Sequence, residues 1–310
     1  MKPCYKKLAS YLLLTVFYTS CLFATENTVQ PTEIEELARL TESDLDDALD
    51  LTESMIAKDN SDAEVWYWKG RIHAQMASRN YFTALHHAGE SESAFQEAVR
   101  LEPDNIKYLI SLSSFYISAP AIAGGDVDKA NDIHNKIYAT SPYDGLMQRY
   151  RLARNEEEPE AIKKHLKQGI EEFADLPDFY YLLGLHYQQE EQYDKAMDYF
   201  TEAVSKPFED AKSTQYHWNA VYQIGRNSVL AETYLKDSQD AFENYIKKVP
   251  VDNQLPSVEW ATYRLAQLLA LNNDSKALNI IADIKTKDKA LLKALKKSKK
   301  SWKRQFKNKS

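Results

Sequence analysis

Cysteine, glycine and proline are scarce in this sequence. The 310 residues include 2 cysteines, 8 glycines and 10 prolines. Both cysteines, Cys4 and Cys21, precede Ala24, so a chain cleaved after Ala24 would hold no disulfide and no cysteine-based metal site. The few glycines and prolines stand between segments of helical periodicity, and no strand-like alternation persists. An all-α fold is therefore predicted.

Sequence patterns that mark common active sites are also missing. There is no His-Glu-x-x-His pair, no Gly-x-Ser-x-Gly elbow and no phosphate-binding glycine loop. The adjacent residues His86 and His87 would point to different faces of a helix, unlike the i, i+4 spacing of paired metal ligands. We therefore predict no catalytic residue, no cofactor and no metal site.

Residues 1–24 have the composition of an export signal. An apolar stretch, 8–24, follows three lysines, and cleavage after Ala24 is the simplest processing site. Two alternatives stay open. The stretch is about as long as a minimal membrane span, and Tyr18-Thr19-Ser20-Cys21 resembles a bacterial lipoprotein box with Cys21 as the lipid-bearing residue. The sequence thus predicts an exported protein. Cleavage after Ala24 would make it periplasmic, and either alternative would anchor it to the membrane.

Charge is unevenly distributed along the chain. The formal net charge is −7. Residues 285–310 hold twelve Lys or Arg and one acid, Asp288, whereas residues 25–284 carry a net charge of about −21. Apolar residues in the basic segment, among them Leu291 and Trp302, share one side of a possible helix. We expect a basic C-terminal helix that caps the body, or that contacts an anionic membrane surface, a polyanion or a neighbouring copy.

Two helical stripes follow one another between Pro177 and Ser205. The first consists of Tyr180, Leu183, Gly184 and Tyr187, and the second of Ala196, Tyr199, Phe200 and Ala203. Related stripes open at Trp66, Leu109, Val221 and Tyr263, and a degenerate one lies at 152–173. The tetratricopeptide repeat family has units that are helical hairpins of similar length, with large and small side chains at fixed positions, called slots here. The segment 177–205 resembles one such unit because it has large and small side chains in those slots.

The resemblance, repeated along the chain, implies the architecture. Residues 63–284 would form a right-handed α-solenoid of about six tetratricopeptide-like hairpins with insertions, one of them at Asn80–Glu92. Residues 25–62 would supply N-terminal helices or a half-repeat, and residues 285–310 the basic C-terminal helix.

Local signals predict specific contacts. A mid-helix glycine such as Gly184 suggests a close approach to the second helix of its hairpin. Residues 118–126 contain a Pro and a Gly-Gly pair and are expected to be a structural connector, with Asp126 capping the next helix. His134 and His165 occupy the slot that Phe200 fills elsewhere, so they are expected to be partly buried.

The family resemblance also implies a binding surface. In that fold the first helix of each hairpin lines a concave groove, through the residue after the Trp/Tyr slot and the residue after the Gly slot. Those positions here hold Tyr67, Arg71, Tyr181, Leu185, Tyr222, Arg226, Tyr263 and Gln267. Tyrosine and arginine dominate binding hot spots, which favours a groove for an extended peptide or a partner helix. The alternative is that the abundant tyrosines, twenty in all, pack between helices.

Function follows from the resemblance alone at this point. The sequence is typical of an exported bacterial adaptor that binds a protein or an extended peptide in its groove. The alternative is a membrane-anchored accessory component of a transport or surface-assembly system, held by an uncleaved leader or by a lipidated Cys21. Residues Lys285–Ser310 are a candidate contact for an anionic membrane surface. No nucleic-acid partner is expected for an exported chain, and the sequence leaves the oligomeric state open.

Overall fold

The structure, a computed structural model, describes residues 32–233, 235–252 and 254–307. The predicted leader, with Cys4, Cys21 and Ala24, lies outside the described residues. Within those ranges the chain forms fifteen α-helices and no strand. The helices are α1 (Glu33–Ser43), α2 (Leu45–Lys58), α3 (Ala63–Arg79), α4 (Ala84–Leu101), α5 (Ile106–Ser118), α6 (Val127–Thr140), α7 (Pro142–Asn155), α8 (Pro159–Glu172), α9 (Pro177–Gln189), α10 (Tyr193–Ser205), α11 (Ala211–Leu230), α12 (Lys236–Lys248), α13 (Val258–Leu271), α14 (Lys276–Asp283) and α15 (Lys289–Lys307).

Helices α3 to α14 pack as six consecutive hairpins. In each pair the first helix lies against the second, from α3 with α4 to α13 with α14, and the second helix packs on the first helix of the next pair. First helices of neighbouring hairpins also touch, as α9 does with α11 and α11 with α13. The all-helical hairpin array that the sequence predicted is confirmed. Helices α1 and α2 precede it, and the insertion at Asn80–Glu92 lengthens the α3–α4 hairpin.

A glycine of the first helix faces a phenylalanine of the second in three hairpins. A Cβ atom added to Gly184 would lie 2.7 Å from the ring of Phe200, and one added to Gly225 would lie 2.3 Å from the ring of Phe242. Phe200 and Phe242 are fully buried. The close approach predicted at Gly184 is thus confirmed, and it explains why a residue that weakens helices by about 1 kcal/mol stands in mid-helix.

The last four hairpins turn in the same way. Each first helix is followed by a residue with positive φ, between 52° and 58°, and these residues are Glu157, Glu191, Glu232 and Asn273. The next backbone N–H then donates to a carbonyl of the preceding helix, as Gln192 N does to Tyr187 O at 2.9 Å. This left-handed cap satisfies carbonyls at the helix end, so the recurrent turn fixes how each second helix returns.

The 118–126 segment joins the two helices of one hairpin, α5 and α6. Gly124 has a φ of 95°, and a Cβ on Gly125 would lie 1.8 Å from Ala119 O, so both positions require glycine. The Asp126 carboxylate accepts a hydrogen bond from Lys129 N at 3.0 Å. The predicted connector and its cap are confirmed.

Helix α15 closes the far end of the array. Leu291 and Trp302 are buried in the cluster formed by α11 to α15, and Tyr263 Oη lies 2.9 Å from Ser298 Oγ. No helix among the described residues is long and apolar enough to cross a membrane.

Candidate partner-binding surface

The eight residues predicted to line the groove lie on the first helices α3, α9, α11 and α13, which together with α5 and α7 form the first-helix face. Three of the four tyrosines are buried: Tyr67 is 9% exposed, Tyr222 6% and Tyr263 5%. The ring of Tyr67 packs against Tyr108 at 5.5 Å between centroids. For these three residues the structure therefore favours the alternative interpretation, packing between helices. The Tyr222 ring meets rings of α12 in its own hairpin, and Tyr263 reaches Ser298 of α15.

The other five predicted residues, Arg71, Tyr181, Leu185, Arg226 and Gln267, are half-buried and reach the surface. A binding role for them stays a prediction. Their surroundings show which chemistry they could supply.

Arg226 is held in place by neutral groups. Its Nη1 donates to Gln188 Oε1 at 2.5 Å and to Gln223 Oε1 at 3.1 Å. Gln188 in turn donates to Asn227 Oδ1 at 3.2 Å, and Asn227 donates to Tyr193 O. This network fixes the guanidinium without neutralising it, so its charge is available to a partner.

Arg71 occupies the same slot in the first hairpin and is also positioned without an acid. Its guanidinium lies over the ring of Trp68, 4.5 Å from the centroid, and it takes part in no ion pair in the described residues. A guanidinium stacked on an aromatic face keeps its edges free to bind a carboxylate.

A central cluster, defined here as Tyr150, Arg151, Tyr181, Tyr216 and Arg226, joins α7, α9 and α11. The rings of Tyr181 and Tyr216 meet edge to face with centroids 5.5 Å apart, and Tyr150 is buried beside them. Burial raises the pKa of Tyr216 to about 12, and the nearby Arg151 guanidinium opposes the rise. Burial raises the pKa of Tyr181 to about 12 as well, with Gln223 and Arg226 opposing. Both phenols are therefore protonated donors at neutral pH.

Sequence reasoning missed three members of this cluster, Tyr150, Arg151 and Tyr216. Arg151 follows Tyr150, and Tyr150 stands at the position where other units have glycine. Because that glycine is replaced, the pattern did not identify Arg151 as the residue after the Gly slot. Tyr216 lies ahead of the slot pattern in α11, which is longer than the other first helices. Only the packing of three hairpins brings these residues to Tyr181.

An acidic side chain beside the cluster is already engaged. Asp178 is 2% exposed, accepts a short hydrogen bond from Tyr143 Oη and lies 3.7 Å from Lys212 Nζ. Lys212 also sits 3.8 Å from the centroid of the Tyr143 ring. Asp178, on α9, therefore links that helix to α7 and α11. Among the described residues, no acid forms an ion pair with Arg151 or Arg226.

The first helices and the second helices of the hairpins differ in net charge. The six first helices hold ten Lys or Arg against four acids, whereas the six second helices hold eleven against fifteen. One of the four acids, Glu64, is bound by Lys107 Nζ at 2.6 Å and by Tyr108 Oη at 2.9 Å. The first-helix face is thus basic in a body that is acidic as a whole.

The buried histidines give the fold a pH dependence. His165 is half-buried, as predicted, whereas His134 is fully buried, beyond the partial burial expected, with Nε2 2.6 Å from Ser113 Oγ. Burial, aided by Arg149 and His165, lowers the pKa of His134 to about 4. A depressed histidine pKa means that the unfolded chain binds the proton first. Stability is therefore full above the unfolded pKa of about 6.5 and falls as the pH drops toward 4.

We expect the free energy of unfolding to fall by on the order of 2–3 kcal/mol through His134 alone between pH 7.5 and pH 4. Urea titrations followed by circular dichroism at several pH values measure it. His134→Asn should flatten part of the profile, whereas His86→Gln, at an exposed position, should leave it unchanged. An unaltered slope in His134→Asn would show that this residue is not the titrating group.

Within the described ranges, no group of three or more His, Cys, Asp or Glu side chains is arranged to hold a metal ion. His73 and His87 do meet, with Nδ1 atoms 3.0 Å apart.

The comparisons with known proteins agree with the hairpin packing. Residues 177–205 match the family model described as "Tetratricopeptide repeat", so the repeat predicted there is confirmed. No curated protein matches the chain in sequence.

Three solved structures are similar to this chain at low identity. A chain of the APC/C hetero-tetramer Cut9-Hcn1 is 16% identical, with a TM-score of 0.46 over 86% of this chain and 48% of its own. This chain thus spans about half of that one. A thermophilic TPR protein of Thermus thermophilus is 17% identical, with a TM-score of 0.41 over 61% and 97%. YrrB, described as a TPR protein with an unusual peptide-binding site, is 13% identical, with a TM-score of 0.34 over 63% and 91%.

Proposed function

We propose that this chain, a tetratricopeptide repeat protein, is a scaffold that binds an extended peptide or a helix of a partner protein on its first-helix face. The central cluster carries the proposal. It presents two protonated tyrosines and two arginines at one place, and arrays of stacked hairpins offer extended surfaces of this kind. Repeat proteins of this family are generally non-catalytic scaffolds, which agrees with the missing active-site patterns.

The partner segment should carry carboxylates. On the second helices, basic side chains pair with acids, as Lys236 does with Asp240 at 2.5 Å and Arg100 with Glu97 at 2.6 Å. Among the residues that the structure describes, Arg71 and Arg226 have only neutral partners. Bidentate guanidinium–carboxylate contacts are among the strongest hydrogen bonds available, so an acidic segment gains most from this face. The tyrosine rings would supply apolar contact between the two charged contacts.

The composition of residues 1–24 supports a place for this scaffold in the bacterial cell envelope, on the periplasmic side, as part of the proposal. The alternative is an envelope-anchored accessory component of a transport or surface-assembly system, held by an uncleaved leader or by a lipidated Cys21. Fractionation separates them: a cleaved protein stays in the soluble envelope fraction, and Cys21→Ala releases the protein from the pellet only if lipid is attached there.

Site-specific photo-crosslinking in cells tests the binding surface. A photoreactive amino acid at Leu185, half-buried on the first-helix face, should give a discrete crosslinked product. The same amino acid at Asp198, exposed on the second helix of the same hairpin, is the matched control and should give none. A product from Asp198 alone, or from neither position, would contradict binding on the first-helix face.

A further inference from the structure

The two ends of the array carry opposite charge. Residues 32–62, which contain α1 and α2, hold eleven acids and two basic residues. Helix α15 holds nine basic residues and no acid. One end of the array is therefore about as negative as the other is positive.

The basic side of α15 faces away from the protein. Most of its apolar side is covered by packing, since Leu291 is fully buried and Trp302 is 8% exposed, and Leu295 and Phe306 are half-buried. Lys296, Lys300 and Lys303 follow an i, i+4, i+7 spacing along the helix, so they share one face, and all three are exposed. No carboxylate of the described residues forms an ion pair with any of them.

The acidic end presents a matching row. Asp46, Asp50 and Glu53 have the same i, i+4, i+7 spacing on α2 and are exposed. The ion pairs within this end are Glu33 with Lys58 and Glu36 with Arg39. The α2 row is thus left without a basic partner in the described residues.

The two ends of one chain do not touch in the described residues. Helix α1 contacts α2 and α3, α15 contacts α13 and α14, and the contacts between them run from each hairpin to the next. We infer that the lysine row of α15 in one copy binds the acidic row of α2 in a second copy, so that molecules associate head to tail. The two rows have equal spacing because both lie on α-helices, of 19 and 14 residues, about 28 and 21 Å long.

A second copy fits this helix better than a lipid surface does. Amphipathic helices bind membranes by burying an apolar face in the bilayer, and in α15 that face already packs on α13 and α14. Leu292 is 40% exposed, but most of what remains outside is charge, whose complement the same chain carries at its other end. The contact joins two different surfaces, so each dimer keeps one free end of each sign and can grow further unless a ring closes.

Charge reversal tests the contact by sedimentation velocity of the purified protein. At about 0.01 M salt, where the Debye length is about 30 Å, the protein should form dimers and larger species, and at about 1 M salt these should dissociate. The triple variant D46K/D50K/E53K and the triple variant K296E/K300E/K303E should each weaken self-association by at least about tenfold, on the ordinary scale of like-charge repulsion at an interface.

The decisive experiment combines the two sets of charge reversals, so that opposite charges face each other again. An equimolar mixture of the two triple variants, and a chain carrying all six changes, should both associate again, because every contact once more joins opposite charges. The control variant K247E/K248E/K276E changes net charge equally on α12 and α14 and should associate as the unaltered protein does.

Three results would overturn the inference: a protein that stays monomeric at low salt, a mixture that fails to recover, or a control that is equally impaired. Vesicles containing phosphatidylglycerol are sedimented with the protein in parallel. Binding to them by a protein that is monomeric in solution, lost in K296E/K300E/K303E, would assign α15 to a membrane surface instead.

Discussion

Replacing Phe242 with alanine is expected to lower the free energy of unfolding by about 3–5 kcal/mol, the range for truncating a fully buried phenylalanine. The ring is 0% exposed and lies against the backbone of Gly225 and against the ring of Tyr222, at 5.8 Å between centroids. Its removal leaves a cavity where two helices of one hairpin meet, and the rigid backbone on one side limits collapse. Urea denaturation followed by circular dichroism measures the change.

Two companion variants make this prediction specific. Phe82→Ala removes the same side chain from an exposed position, 94% accessible, and should change stability little. Gly225→Ala should destabilise the protein although alanine favours helix by about 1 kcal/mol, because the new methyl would meet the Phe242 ring at 2.3 Å. A stabilising Gly225→Ala, or a Phe242→Ala loss below about 1 kcal/mol, would refute the contact between these helices.

Reversing the charge of Arg226 is expected to weaken binding of the partner segment by at least about thirtyfold, or about 2 kcal/mol. The guanidinium is fixed by Gln188 and Gln223, so a carboxylate of the partner gains a preorganised contact, and Arg226→Glu replaces it with repulsion. Tyr181→Ala should cost about tenfold by removing aromatic contact area. Isothermal titration of the peptide identified by crosslinking at Leu185 measures both.

Matched variants separate binding from stability in that experiment. Arg100→Glu reverses an arginine that pairs with Glu97 on a second helix and should leave affinity unchanged. Tyr222→Phe alters a tyrosine of the predicted row and should also leave the affinity unchanged, since that side chain is 6% exposed and its ring packs inside its own hairpin against Phe242. Equal losses in Arg226→Glu and Arg100→Glu would mean that net charge, and not this face, attracts the partner.

Much of the fold was predictable because its determinants are local. Helical stripes and the small slot at Gly184 depend on residues within one hairpin, and so does the cap at Asp126. Their spacing is fixed by 3.6 residues per turn and by the contact between two adjacent helices. His134 and Phe200 occupy the same slot in their hairpins, and both pack in the interior for the same reason.

The candidate site was only partly predictable. The slot rule found Tyr181 and Arg226, but it treated Tyr67, Tyr222 and Tyr263 as equivalent to Tyr181. Whether a tyrosine in this slot is open or covered depends on which side chains of other helices pack on it, and the slot pattern does not specify these.

The sequence by itself determined the helices, the pairing of neighbours and the uneven charge along the chain, since each depends on residues that are close in the sequence. Only the tertiary structure decided which side chains the stacking covers and which it brings together. Tyr150, Arg151 and Tyr216 join Tyr181 because three hairpins converge there. The tertiary structure also holds the two charged ends apart, because hairpins that contact only their neighbours build an extended array.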